Sequence, residues 1–323
     1  MINKKKYIIL VVILFCGLFI FSLFFKRDIK QESNKSDSSK LVSGGGEINN
    51  IEQKYCNFFP KRRRLDYKPE LNEKGAIAVF FDERGQKKVL YQKNKEKKLP
   101  IASLTKLMTA VIAVENYDLQ KTVKVSKKAV ATLEETGKLR PGERITIGGL
   151  LDLALLVSSN DAAAALAEQM GEEKFVKLMN KKAEEIGMKN TKFANPHGLD
   201  NKNNYSTAED LAFLTQYSLI YYPRIWETLS KKQKIIRSED HLGSSIEHCA
   251  NNTNKLLAKD YVLGGKTGYT DKAGDAMILA MEAPGIAEGK VALVLLGLGV
   301  AERIPRTENL YDWVMWGWDW GHF

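Results

Sequence analysis

Three short segments carry side chains that could act together as a nucleophile, a base and an anion-binding site. They are Ser103-x-x-Lys106, Ser158-x-Asn160 and Lys266-Thr267-Gly268, in that order along the 323-residue chain. A serine hydroxyl attacks a carbonyl only when a nearby base takes its proton, and a lysine one helical turn away can be that base. Each segment alone is common by chance, so the interpretation depends on finding all three in suitable structural positions.

The first segment is predicted to open a helix. Pro100 precedes an apolar run at 104–114, which favours a helix that begins near Ala102 or Ser103. N–H groups of a first helical turn lack partners inside the helix, so the Ser103 N–H could hold a developing oxyanion. A lysine base must be neutral part of the time, and burial with a nearby cation lowers its pKa. The alternative is an ordinary helix start with a serine and a solvated lysine.

The other two segments are predicted to lie on a loop and on a strand. Residues 147–157 are apolar nearly all round, which indicates a buried helix, and a new helix begins at Asp161. Ser158 and Asn160 therefore lie on the short loop between two helices. Residues 261–268 predict a strand whose three glycines let another backbone or a ligand come close.

The order of predicted elements indicates the fold class. Strands at 75–81 and 88–92 come first, several helices follow, and strands at 261–268, 276–282 and 290–298 come last. This order predicts an α+β fold, in which an antiparallel sheet is built from both ends of the chain and a helical subdomain is inserted between them.

The N-terminal residues predict a membrane anchor. Residues 7–25 carry no charge, and at 1.5 Å per residue they match a hydrocarbon core of ~30 Å. Lys4, Lys5 and Lys6 favour an N-terminus inside the cell. We expect a cytoplasmic tail at 1–6, a transmembrane helix at 7–25, a flexible linker at 26–55 and a folded domain at 56–323 outside the cytoplasm. A cleaved signal peptide is the alternative, but no small-x-small site follows the apolar run.

Charge and cysteine content exclude some classes of function. The net charge of +10 suits a protein that meets anionic lipid and wall polymers outside the membrane, and a nucleic-acid partner has little support. His241, His248 and Cys249 lack the paired spacing of a metal site, so we expect neither a metal nor a cofactor. Cys56 and Cys249 could pair in an oxidising compartment, which the sequence leaves open.

The three motifs in this order resemble those of the D-alanyl-D-alanine carboxypeptidases, the low-molecular-mass penicillin-binding proteins. The likeness covers about residues 76–318 and includes Pro141-Gly142-Glu143 and the stretches 159–163, 194–199, 206–210 and 252–257. It implies a serine β-lactamase/DD-peptidase-like fold with an antiparallel sheet flanked by helices. Two features depart from the family pattern: Ser159 stands where glycine is frequent, and the chain ends at Phe323 without the second domain and C-terminal anchor of many members. We expect the N-terminal helix to replace that anchor.

The resemblance also implies catalytic roles. Ser103 would attack the carbonyl of the penultimate D-Ala of a peptidoglycan stem peptide, and Lys106 would take its proton. Ser158 would pass a proton to the leaving amine, and water would then resolve the acyl-enzyme.

The implied binding roles fall on the remaining motif residues. The substrate amide would contact Asn160, the terminal carboxylate would contact Lys266 and Thr267 of the motif that Gly268 completes, and the oxyanion hole would use the N–H groups of Ser103 and Tyr269. Counting back from Trp316-Gly317, we expect Arg306 to be the family's carboxylate-binding arginine and regard Arg303 as second choice.

Three alternatives to a carboxypeptidase stay open. They are a DD-endopeptidase, a β-lactamase and an inactive wall-binding protein with the same fold. Class A β-lactamases position water with a glutamate on a loop after the Ser-x-Asn motif, whereas Asp200 is the only acid of the corresponding stretch here, 191–200. We therefore expect β-lactam antibiotics to act as covalent inhibitors. The preferred stem peptide and the oligomeric state are not predicted.

Overall fold

The computed structural model describes residues 60–63, 69, 71–83, 85–133, 137–286 and 288–321. All of them lie in the unit Phe58–Phe323, and the unit Met1–Asn57 is outside the described residues. The anchor at 7–25 and the linker at 26–55 therefore stay predictions. No helix within the described ranges is long and apolar enough to span a bilayer.

The described residues form eleven strands and eight α-helices. The strands are β1 (Lys61–Arg62), β2 (Gly75–Phe81), β3 (Lys87–Lys93), β4 (Thr122–Lys124), β5 (Arg144–Thr146), β6 (Gln233–Glu239), β7 (Ser245–Asn251), β8 (Val262–Thr270), β9 (Gly274–Glu282), β10 (Lys290–Leu298) and β11 (Trp318–Asp319). The helices are α1 (Thr105–Asn116), α2 (Lys127–Val130), α3 (Ile147–Leu156), α4 (Asn160–Glu168), α5 (Glu172–Glu185), α6 (Ala208–Tyr221), α7 (Pro223–Leu229) and α8 (Arg303–Gly317). Two 3₁₀ turns, Ala102–Leu104 and Lys255–Ala258, complete the set.

A five-stranded antiparallel sheet in the order β3-β2-β10-β9-β8 brings the two ends of the described chain together. Strand β10 pairs with β2 over the whole length of β2, with Leu293 opposite Ala78. The predicted sheet built from both chain ends is therefore confirmed. β8, which carries Lys266-Thr267-Gly268, lies at one edge.

Both faces of this sheet are covered by helices. Along β2, Ile77 and Val79 pack into a core with Leu107 of α1 and Leu211 of α6. The intervening side chains face the opposite way, as strand geometry requires, and join a second core in which α8 contributes Leu310, Trp313 and Val314. The sheet is thus fixed on both sides, which gives β8 a rigid support.

The inserted subdomain contains α2 to α5 and a second sheet in the order β4-β5-β6-β7. Its core includes Val123, Ile145 and Ile236 from the strands, together with Leu150 and Leu166 from the helices. The β6–β7 hairpin was not predicted. Only two of the seven residues of β6 are buried and the rest are mostly polar, so the hydrophobic signal is weak.

Cys249 is exposed on β7. Its candidate partner, Cys56, is outside the described residues, so the structure does not test a disulfide between them.

Candidate active site

The nucleophile turn lies where the sheet, α1 and the loop at 195–200 meet. Ser103 is half-buried in the 3₁₀ turn that leads into α1, so the predicted helix start is confirmed. Ala102 before it has a φ of 47°. A Cβ on Gly198 would lie 2.0 Å from the Ala102 carbonyl oxygen, and one on Gly268 would lie 3.1 Å from the Ser103 nitrogen. Two glycines therefore let the loop and strand β8 close around Ser103.

Lys106 connects the nucleophile to the helical subdomain. Its side chain is fully buried, and its Nζ donates to Ser103 Oγ at 2.7 Å, to Asn160 Oδ1 at 2.6 Å and to the His197 carbonyl oxygen at 2.8 Å. The one-turn spacing thus produces the predicted lysine–serine contact, at a distance that permits proton transfer.

The Ser-x-Asn loop is held at both of its ends. Ser158 has a φ of 64°, and Ser159 caps α4 by accepting the Ala162 N–H. The Asn160 amide nitrogen donates to the Leu133 carbonyl oxygen at 2.9 Å. This bond orients the amide so that its oxygen faces Lys106.

Lys266 forms a second buried pair. Its Nζ donates to Ser158 Oγ at 2.9 Å and to the Thr267 carbonyl oxygen at 2.9 Å. Complete burial, together with the Arg303 cation, lowers the pKa of Lys266 to about 7. The Thr267 hydroxyl lies 2.7 Å from that of Thr253.

The two candidate arginines, Arg303 and Arg306, make different contacts. Arg303 Nη1 lies 2.9 Å from Asp275 Oδ1 and 3.4 Å from the Gly268 carbonyl oxygen of β8. Arg306 instead bonds Glu302, the residue just before α8, at 3.1 Å. The helix start at Arg303 points this residue at β8, so Arg303, the second choice of the two, lies beside the lysine motif.

Tyr269 and Asp200 lie at the far end of the motif strand. Tyr269 is 41% exposed, and its hydroxyl donates to Asp271 at 3.1 Å. Asp200 accepts the Thr270 hydroxyl at 2.7 Å and the Lys272 N–H at 3.3 Å. The two carboxylate oxygens of Asp200 thus hold the loop against the end of β8 and the turn that follows it.

His197 contributes its backbone to the site. Burial and the Lys106 cation lower the pKa of its ring to about 4, so the ring is neutral at pH 7. Ring Nδ1 accepts the Leu199 N–H at 3.2 Å, so the ring supports the local turn. Sequence reasoning missed the His197 carbonyl at Lys106, because a backbone acceptor leaves no residue-type signal.

The structure therefore brings the predicted residues together as two linked pairs. Lys106 bonds Ser103 and Asn160, and Lys266 bonds Ser158, two residues earlier. Asn160 was predicted on the loop but is the first residue of α4, because Ser159 caps that helix. Sequence reasoning also missed two supporting groups, the Leu133 carbonyl and the Thr253 hydroxyl, although the latter lies in the 252–257 stretch.

An antiparallel sheet with an inserted helical subdomain and a serine–lysine pair at their junction is typical of the class that contains the penicillin-binding DD-peptidases and the serine β-lactamases. Solved structures agree: the D-alanyl-D-alanine carboxypeptidase of Mycobacterium tuberculosis matches with a TM-score of 0.69 and 27% identity, over 78% of this chain and 94% of that one. The Streptomyces K15 DD-transpeptidase matches with a TM-score of 0.69 and 25% identity, over 77% and 98% of the two chains.

A family profile described as D-alanyl-D-alanine carboxypeptidase matches residues 66–297, and the chain belongs to this family. The carboxypeptidase DacF of Bacillus subtilis is 40% identical over 217 residues, which are 63% of this chain and 53% of that protein. The chain thus spans about half the length of DacF. The D-alanyl-D-alanine endopeptidase of Pseudomonas aeruginosa is 33% identical over 80% of this chain and 82% of its own length.

Proposed function

We propose that this protein is a serine D-Ala-D-Ala carboxypeptidase, which removes the terminal D-Ala from peptidoglycan stem peptides. The observation that carries the proposal is the fully buried Lys106, with its Nζ 2.7 Å from Ser103 Oγ, in a chain of this family. An inactive wall-binding protein would have no need of that pair.

Acylation begins when Lys106 takes the proton of Ser103 as Oγ attacks the carbonyl carbon of the penultimate D-Ala. The oxyanion accepts hydrogen bonds from the backbone N–H groups of Ser103 and Tyr269. The C–N bond then breaks, and the proton that Lys106 took from Ser103 passes through Ser158 to the leaving amine, which returns Lys106 to its neutral form. Because Ser158 Oγ accepts from Lys266, its own O–H can be directed at that amine.

Deacylation returns the enzyme to its starting state. Water adds to the ester carbon, Lys106 takes a proton from the water, and the ester C–O bond breaks. The proton returns to Ser103 Oγ, and the shortened peptide leaves as a carboxylic acid. Asn160, held by Lys106 and Leu133, presents its amide group to the substrate backbone in both steps.

The terminal carboxylate of the substrate is bound by Lys266, Thr267 and Arg303. Hydrogen bonds between cationic donors and a carboxylate are stronger than neutral ones, and this difference selects a free C-terminus. A peptide whose terminal D-Ala is amidated should be a poor substrate for this reason.

The test is release of D-Ala from a diacyl-Lys-D-Ala-D-Ala peptide, with Ser103→Ala as the control. We expect continuous release by the unmodified protein and none by the variant. A folded protein that releases no D-Ala would overturn the proposal.

A DD-endopeptidase is the second candidate, because the Pseudomonas aeruginosa relative that matches 80% of this chain bears that name. The two activities share one acyl-enzyme and differ in the leaving amine. A purified cross-linked muropeptide dimer distinguishes them: monomer release at a rate comparable to D-Ala release would favour the endopeptidase.

We also propose that residues 7–25 anchor the enzyme in the cell membrane, with the domain outside the cytoplasm. The uncharged run and the three preceding lysines support this proposal. A chain that begins near residue 50 should leave the membrane fraction and keep full turnover of a soluble peptide. Membrane association of that shorter chain would argue against the anchor.

A further inference from the structure

A buried polar cluster lies in the helical subdomain, outside the reaction centre. Glu143 Oε1 accepts hydrogen bonds from His248 Nε2 at 2.6 Å and from the Ser238 hydroxyl at 2.6 Å. Glu143 is 1% exposed, Ser238 6% and His248 8%. No step of the proposed mechanism uses these three side chains. A buried carboxylate is costly unless it is paired and hydrogen-bonded, so the cluster calls for an explanation.

The second carboxylate oxygen of Glu143 holds a turn. Oε2 accepts the Arg140 N–H at 2.8 Å, and the Glu143 N–H donates to the Arg140 carbonyl oxygen at 3.1 Å. Burial by itself raises the pKa of Glu143, but the hydrogen bonds from His248, Ser238 and Arg140 bring it below its ordinary value. The group is therefore a carboxylate at neutral pH and an acceptor for all three donors.

The segment 137–140 that this carboxylate holds packs directly on the Ser-x-Asn loop. The Leu139 N–H donates to Asp161 Oδ2 at 3.1 Å. Gly137 approaches Ser159 so closely that a Cβ would lie 2.3 Å from Ser159 Oγ. Ser159 and Asp161 flank Asn160 on either side, so the segment fixes the backbone that carries the Asn160 amide.

We propose that Glu143, supported by His248 and Ser238, is a positioning residue that sets Asn160 against Lys106 through the segment 137–140. The proposal rests on the serine–lysine mechanism proposed above. Glu143 itself does not touch the substrate. Its effect should appear in the rate at which Ser103 is acylated, because Asn160 contacts both the base and the substrate.

The test compares Glu143→Gln with a matched control, Asp152→Asn. Glutamine replaces one acceptor oxygen by a donor, so at least one of the three donors loses its acceptor. Asp152 is also buried, at 2% exposed, and accepts bonds from Arg224 at 2.8 Å and Lys234 at 2.5 Å. Each substitution removes one buried carboxylate of the subdomain, but Asp152 has no hydrogen bond to the segment 137–140 among its described contacts.

The measurements are the second-order rate of acylation by a fluorescent penicillin and the thermal unfolding temperature. We expect Glu143→Gln to slow acylation ~10-fold per folded molecule and Asp152→Asn less than ~2-fold, although both lower the unfolding temperature. In an Asn160→Ala background, Glu143→Gln should cost less than ~2-fold more, because the two residues act in one chain of contacts.

A second pair of variants keeps the test decisive if Glu143→Gln does not fold. His248→Gln places an amide N–H near the position of imidazole Nε2 and should keep acylation within ~2-fold, whereas His248→Leu should slow it ~10-fold. Equal losses in Glu143→Gln and Asp152→Asn, or the same loss with and without Asn160, would overturn the positioning role. Absence of acylation in the unmodified protein would instead contradict the proposed function.

Discussion

Replacing Arg303 by alanine tests how the substrate carboxylate is recognised. The guanidinium lies 3.4 Å from the Gly268 carbonyl oxygen and 2.9 Å from Asp275, and its charge contributes to the lowered pKa of Lys266. A hydrogen bond to a charged group contributes about 1.5–3 kcal/mol. At 1.36 kcal/mol per factor of ten, Arg303→Ala should lose roughly 10- to 100-fold in kcat/KM for a peptide with a free C-terminus.

The pH dependence of kcat/KM tests the role of Arg303 independently. Burial and then the Arg303 cation lower the pKa of Lys266 to about 7, so its ammonium is lost as the pH rises through that value. Carboxylate binding by Lys266 should weaken over the same range. Removing the Arg303 charge raises this pKa, and the alkaline limb of kcat/KM should move to higher pH in Arg303→Ala.

Arg306→Ala is the matched control for the same assay. Arg306 pairs with Glu302 at 3.1 Å at the start of α8, where both side chains are partly exposed, and such pairs contribute little. D-Ala release by this variant should stay within ~2-fold of the unmodified protein. Loss in Arg306→Ala but not in Arg303→Ala would refute the assignment. So would additive losses when an amidated substrate is combined with Arg303→Ala.

Three further predictions concern Ser103 and its surroundings. Penicillin should label one site, and peptide mapping that finds label in Ser103→Ala would contradict the nucleophile. Gly198→Ala should lower acylation and destabilise the fold, because φ is +96° and a Cβ would meet the Ala102 carbonyl oxygen at 2.0 Å. The strained backbone alone should cost about 1–3 kcal/mol. Gly187→Ala is the control in thermal unfolding: its φ of +84° gives the same kind of backbone strain, but a Cβ there would have nothing within 4 Å. The penicilloyl-enzyme should persist for many minutes, since both oxygens of Asp200 are engaged, one with Thr270 of β8 and the other with Lys272 in the turn that follows. Intact-mass spectra that show its loss within seconds would indicate a β-lactamase.

Much of the fold followed from patterns within single elements. The predicted strands at 75–81 and 290–298 coincide with β2 and β10. Both are apolar runs of strand length bounded by turn residues. A strand buried on both faces is apolar throughout, so it can be predicted from the sequence. The β6–β7 hairpin was not predicted, because its exposed residues resemble those of any solvated surface segment.

Within the site, the sequence by itself determined the Ser103–Lys106 pair, because a spacing of three on one helical turn sets the distance between two side chains. It also identified the three motifs and the family. Their order along the chain carried this information without any knowledge of contacts.

Only the tertiary structure decided which groups meet across elements. Lys106 reaches Asn160 over a separation of 54 residues, and Lys266 reaches Ser158 over 108. It also showed that Arg303, which lies within one turn of Arg306 on the same helix, bonds the backbone of β8. These contacts depend on how closely helix, loop and strand approach one another, and that approach is a property of the packed core and not of any local spacing.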